Sequence, residues 1–206
     1  MFIPENSAII IDNYIRKFTR RLKMSEHMLI DHCSPTLAGV KTGSLFTCGY
    51  KNKKTLYNKI RKINQILVPK GLRLLPLRFH KGKVLIYLYR PDQLENDLTN
   101  HTAAHPLRQC GYSLKNGNCC IVELIGKLNA DNSFPHEIGL FLGYPPEDVD
   151  GFMNKSSSAF KYSGLWKVYG DVDKAKRTFE TYRICSEHYK HRWQTGHTLE
   201  QLAVCI

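Results

Sequence analysis

Two apolar runs, LRLLPLRF (72–79) and KVLIYLYR (83–90), flank the turn His80-Lys81-Gly82. Runs this short, joined by a glycine-containing turn, read as the strands of a β-hairpin. In the second run Val84, Ile86 and Leu88 face one way and Leu85, Tyr87 and Tyr89 the other. Both faces are apolar, which places that strand at the centre of a sheet covered on both sides. Pro76 has no N–H to give to a ladder, so the first run is an edge strand or is bulged at that point.

The flanking segments extend the pattern. GSLFTCGY (43–50) reads as a strand. Leu56, Ile60, Ile63 and Leu67 recur at helical spacing, which predicts a helix over 53–70 stopped by Pro69 and Gly71. Helices are also expected from Pro91 to about Asn100, near 104–110, over 118–129, over FPHEIGLFLG with Ser133 as its cap, and from Pro145-Pro146. SGLWKVYG (163–170) reads as a further strand. Asp171 then caps a long helix with the stripe Val172, Ala175, Phe179, Tyr182, Cys185, Tyr189 and Trp193, and Thr198-Leu199-Glu200-Gln201 is a capping box. The fold class is α+β, a ferredoxin-like β-α-β-β-α core with a mostly helical C-terminal half. Strands 44–50 and 72–79 are expected to run parallel through a right-handed crossover. Residues 1–23 read as an N-terminal extension or a misassigned start that contains a short amphipathic helix, and 24–206 as a single α+β domain.

The chain has 206 residues and a formal charge of +12, and the charge is local. Residues 32–91 hold no Asp or Glu and 13 bases, from Lys41 to Arg90. A field of that kind attracts phosphates, nucleic acid or an acidic protein. No apolar window approaches the about 18 residues of a membrane span. The seven cysteines form no C-x-x-C pair and no zinc spacing, so free thiols in a reducing cytoplasm are expected.

Three stretches carry a resemblance: His32-Cys33-Ser34-Pro35-Thr36-Leu37-Ala38-Gly39; Phe134 to Pro145, continuing through Glu147-Asp148-Val149 to Phe152; and Trp166-Lys167-Val168-Tyr169-Gly170-Asp171. With these motifs the chain resembles, over roughly 24–195, an uncharacterised family of anaerobic Firmicutes known as a domain of unknown function. The resemblance implies a redox or iron context, through neighbours of flavodoxin type and iron uptake. It implies no activity.

The candidate chemistry centres on Cys33. Ser34 or Cys33 is read as the cap of a short helix with Pro35 in its first turn, and a thiol at a helix N-terminus beside His32 is where a thiolate forms. His136 as base and Glu137 as its orienter complete a Cys-His arrangement, set against a plain buried cysteine and a helix-terminal glutamate. His32, Thr36, Lys41, Tyr87, Tyr144 and Trp166 are the candidate ligand-binding residues. No metal-ligand set stands out: H-E-x-x-H is absent, haem ligation by Cys33 or a histidine lacks C-x-x-C-H, and Glu147, Asp148 and Asp150 read as helix N-terminal charge rather than a cation site. Walker A, G-x-G-x-x-G and G-x-S-x-G are absent too, and no cofactor is singled out. The leading expectation is a cytoplasmic thiol- or iron/redox-linked accessory protein that binds an anionic ligand or an acidic, flavodoxin-type partner. One alternative is a nucleic-acid or phosphate-binding module that uses the basic 41–90 face with Tyr87, Tyr89 and Phe79. The other is an enzyme with a cysteine nucleophile.

Overall fold

A computed structural model describes residues 24–130, 134–154 and 159–206. The helix expected within residues 1–23 and the Ser133 cap lie outside the described residues. The elements run α1 (Glu26–Leu37), β1 (Gly43–Gly49), α2 (Lys53–Leu67), a 3-10 turn (Val68–Lys70), β2 (Arg73–His80) and β3 (Lys83–Tyr89). Then come α3 (Pro91–Thr99), α4 (His101–Gln109), α5 (Gly117–Ala130), α6 (Ile138–Phe141), α7 (Pro146–Asn154), β4 (Tyr162–Ser163), β5 (Lys167–Val168), α8 (Val172–Gln194) and α9 (Leu199–Leu202). The fold is α+β. Among the described residues no helix is long and apolar enough to cross a membrane.

The main sheet has the order β1-β3-β2, with β3 antiparallel to both neighbours. β1 and β2 therefore run in the same direction, as the crossover through α2 requires, but they are not adjacent: β3 lies between them. This is a split β-α-β arrangement. No fourth strand joins this sheet among the described residues. β3 is central and buried on both faces, as its apolar alternation demands. Val84, Ile86 and Leu88 meet α1, α2, α9 and the C-terminal half of α8. Leu85, Tyr87 and Tyr89 meet α3 to α7.

Pro76 accounts for both expectations placed on it. β2 is an edge strand, and its register with β3 shifts between Pro76 and Arg78. Leu77 is the extra residue, so the alternation inverts beyond it. Leu75 and Leu77 pack with Tyr87, while Phe79 returns to the face of Val84. The open edge of β2 is covered by side chains. Asn64 of α2 accepts from the Leu74 N–H and donates to the Leu74 carbonyl, both at 2.9 Å. Asn129 donates to the Leu77 carbonyl at the bulge.

Several sequence readings are corrected. Ser25, not Cys33 or Ser34, precedes the first turn of the first helix, and Pro35 falls near its end. The 134–143 helix shrinks to one turn, α6, preceded by a turn at His136-Glu137. SGLWKVYG is not one strand: β4 and β5 are two-residue arms of a small antiparallel hairpin. The Asp171 cap, the long α8 and the Thr198–Gln201 capping box form as expected.

Where β3 ends, Arg90 is 1% exposed and has no carboxylate partner among the described residues. Its Nε donates to Thr36 O at 2.9 Å, its Nη2 to Leu37 O and Val204 O at 2.8 Å each, and its Nη1 to Lys70 O at 3.3 Å. These carbonyls close α1, the 3-10 turn after α2, and the tail beyond α9. The partial negative charge at helix C-termini stands in for a counterion. Arg90→Met removes the arginine from four carbonyls, of which Thr36 O and Leu37 O keep backbone donors and Lys70 O and Val204 O have none among the described residues, and should lower stability by about 2–4 kcal/mol. Arg90→Lys should recover little of this, because one ammonium cannot reach carbonyls on three sides. Urea denaturation of both variants measures the effect.

Candidate functional site

A cavity of about 380 Å³ opens where the turn between α1 and β1, the end of α3, the 140–148 segment, the β4–β5 hairpin and the first half of α8 meet. The size suits a small organic ligand. Its floor depends on Gly143, which holds φ at +73°; a Cβ there would lie 2.7 Å from Thr42 Oγ1. That backbone delivers Tyr144, whose ring stacks on Trp166 at 4.5 Å. Phe179 meets the other side of Trp166 edge-on at 4.4 Å.

Asp148 fixes the indole. It is 3% exposed and accepts from Trp166 Nε1 at 2.7 Å, from the Tyr169 N–H at 2.7 Å and from the Gly170 N–H at 2.8 Å. Its sequence reading as helix N-terminal charge is therefore incomplete: the carboxylate holds the 166–170 loop against α7. Gly151 permits the same contact, because a Cβ on it would run into the Tyr169 ring at 2.4 Å.

Lys41 reaches this wall from the α1–β1 turn. Its Nζ lies 5.3 Å from the centre of the Tyr144 ring and 5.7 Å from that of Tyr182. Among the described residues no carboxylate is within ion-pair distance of it. Burial pulls its pKa down from 10.5 to about 8. Next to it, the Thr42 hydroxyl donates to Asp97, whose carboxyl burial holds above the usual carboxylate range. Burial, reinforced by Asp97, raises the Tyr182 phenol to about 12. A smaller apolar hollow of about 40 Å³ adjoins the cavity and shares Tyr144, Asp148 and Trp166 with it; His136, Phe152 and Leu165 complete its wall.

Of the residues singled out in the sequence, Tyr144 and Trp166 line the cavity, Lys41 lies against the Tyr144 ring, and His136 borders the adjoining hollow. Cys33 is close enough to Lys41 to interact with it from the core, and the remaining residues lie elsewhere. Cys33 is fully buried with the α1–α2 face of the sheet, and burial drives its thiol far above the ordinary value. His136 and Glu137 lie beyond the other face, beside Ile138 and Phe141. Glu137 is buried and accepts from the Tyr112 hydroxyl at 3.1 Å. His136 packs edge-on against Phe152; burial holds it toward the neutral form, and its Nδ1 is buried with no hydrogen-bond partner among the described residues. A Cys33–His136–Glu137 constellation is thus not assembled. The reason is the corrected start of α1, which moves Cys33 from a helix N-terminus to the core side of the helix.

His32 stacks on Phe46 at 5.6 Å. Thr36 bonds Ser44 at 2.9 Å, and its carbonyl receives Arg90. Tyr87 is 1% exposed, stacks on Tyr89, and donates to Phe141 O. Asp97, Asn100 and Tyr182 belong to the cavity wall but carried no motif. Among the described residues no group of three His, Cys, Asp or Glu side chains is placed to hold a metal ion.

The chain matches, over residues 29–203, the family described as "Protein of unknown function (DUF3793)", and it belongs to that family. No curated protein and no solved structure matches it.

Two outcomes follow from this geometry. Asp148→Ala leaves Trp166 Nε1 and two backbone N–H groups without their acceptor; it should cost about 2–3 kcal/mol and shift Trp166 emission to the red, read in a Trp193→Phe background. Titration of the native protein with a thiol reagent should label exposed Cys205 quickly and Cys33 only on unfolding.

Proposed function

We propose that this member of the DUF3793 family binds a small, flat, anionic organic ligand in the cavity, with Lys41 supplying positive charge from behind the tyrosine rings and the Tyr144–Trp166 pair forming part of the aromatic wall. The observation that carries this reading is the buried ammonium of Lys41, which has no carboxylate partner among the described residues and lies directly behind the Tyr144 and Tyr182 rings that line a ligand-sized cavity. Four acids also border the wall: Asp148 and Asp171 accept backbone N–H groups, Asp97 accepts from Thr42 and is raised by burial, and Glu147 stands at the exposed rim. Asn100, Thr178 and Lys174 add hydrogen-bonding groups along the same wall.

The anionic-ligand half of the sequence reading therefore moves from Cys33 to Lys41. A thiol-centred accessory role, or a cysteine nucleophile, loses its reactive group to the core. All seven cysteines are free, which supports residence in a reducing compartment such as the cytoplasm.

A panel of aromatic carboxylates and phosphate monoesters, titrated against Trp166 fluorescence, tests the reading. A flat anion should quench the emission saturably, and Lys41→Met should weaken that binding at least about tenfold. Affinity should fall as pH rises through about 8, where free Lys41 loses its proton. The same variant should be more stable than the parent at neutral pH. The folded pKa of Lys41 lies below its unfolded value, so its charged form costs stability below about pH 8, and that cost fades as pH rises toward 10.5. Equal binding of the panel by parent and Lys41→Met would sink the proposal.

A further inference from the structure

The hairpin end of the sheet carries a second, separate feature. Lys83 pairs with Gly49 on one side and with His80 on the other, and the Tyr50 N–H donates to Gly82 O at 3.1 Å. Asn52 begins α2 at the same end, accepting from the Lys54 N–H at 2.7 Å. These connections gather Lys51, Lys53, Lys54, Lys81 and Lys83 within a few residues of one another, and all five are exposed. None is in an ion pair among the described residues. The segment that supplies them, 32–91, contains no acid.

Three aromatic rings stand among these lysines. Tyr50 meets Phe79 edge-on at 5.3 Å, and Tyr57 meets it at 5.9 Å. The Lys53 Nζ sits 4.8 Å above the centre of the Phe79 ring. Tyr57 is 48% exposed, a large amount for an aromatic ring that is held on one side by a neighbour. Phe79 and Tyr50 support the platform, and Tyr57 presents it. Of the three rings expected to stack bases, Tyr87 and Tyr89 are sealed in the core and Phe79 alone lies at this surface.

We propose that this end of the sheet binds single-stranded nucleic acid, with a base stacked on Tyr57 and the five lysines neutralising phosphates. Exposed rings interleaved with unpaired ammonium groups are what such strands use: every base has a π-face, and every nucleotide carries a charge. An acidic peptide would engage the lysines but has no use for the ring, and a duplex keeps its bases inside.

The test uses the full chain and short fluorescein-labelled oligonucleotides of RNA and of DNA, read by anisotropy between about 50 mM and about 200 mM salt. Both arms are run, and the tighter one names the sugar preferred. Binding is expected to weaken steeply with salt. Tyr57→Ala should weaken it about tenfold, Tyr57→Phe should restore it, and each of Lys51→Gln and Lys81→Gln should flatten the log–log salt slope by about 0.7. Lys41→Met should bind as the parent does, which keeps this surface distinct from the cavity. Four results would overturn the proposal: no binding of either strand at the lower salt, Tyr57→Ala binding like the parent, duplex DNA binding as tightly as single strands, or polyglutamate binding more tightly than either strand.

Discussion

The packing of this protein turns on a cation that has no anion. Arg90 closes the central strand and is enclosed by the carbonyl ends of three helical segments. A guanidinium out of water is costly unless every N–H finds an acceptor. Here the acceptors are carbonyls at chain ends, two of which, Thr36 O and Leu37 O, also accept backbone N–H groups. The arrangement fixes α1, the exit of α2 and the C-terminal tail relative to β3 at one point. Beside it α1 ends at Gly39, whose φ of +82° favours glycine. The turn that leaves Gly39 then carries Lys41 to the Tyr144 and Tyr182 rings and Thr42 to Asp97, so the geometry behind the cavity depends on a buried arginine that does not line it.

A second anchor has the opposite sign. Asp148 accepts from one indole and two backbone N–H groups. It thereby joins two motifs that are well separated in the chain, the one ending at Phe152 and the one beginning at Trp166. Gly151 and Gly170 belong to the same joint: a Cβ on either would meet Tyr169 or Glu147 below 3 Å. Their residues read in the sequence as chemistry, a His-Glu pair and an acidic run, yet most of them build a wall. Tyr144 and Trp166 are parts of that wall that line the cavity.

What the sequence showed clearly was local. The alternation in β3 and the missing N–H of Pro76 act within a few residues, and each forecast its element correctly. The start of α1 was misjudged because Ser34-Pro35 mimics a cap. Its physical role is different: the Ser34 hydroxyl donates back to Ile30 O inside the helix, and the turn at Pro35 is compensated by contacts in the core. The burial of Lys41 and Arg90 was not legible, since each depends on partners more than fifty residues away. Arg90, for example, bonds to Val204 across 114 positions. Asp97 and Tyr182 were missed for the same reason: each is an ordinary helix residue until α8 is laid beside α3.

The acid-free stretch shows how far a charge count can lead. Its 13 bases suggest one continuous basic face. Folding divides them: Arg90 goes to the core, Lys41 behind the tyrosine rings of the cavity wall, and the lysines of α2 and the hairpin to the surface. Phe79 joins those lysines only because β2 is bulged. With regular alternation it would lie on the side of Leu75 and Leu77, under α5, and the lysine end would have lost the ring that supports Tyr57. The bulge follows from Pro76, and the inversion from the period of two that strands obey. A single missing N–H in an edge strand thus decides that the basic end of the sheet is aromatic as well as charged.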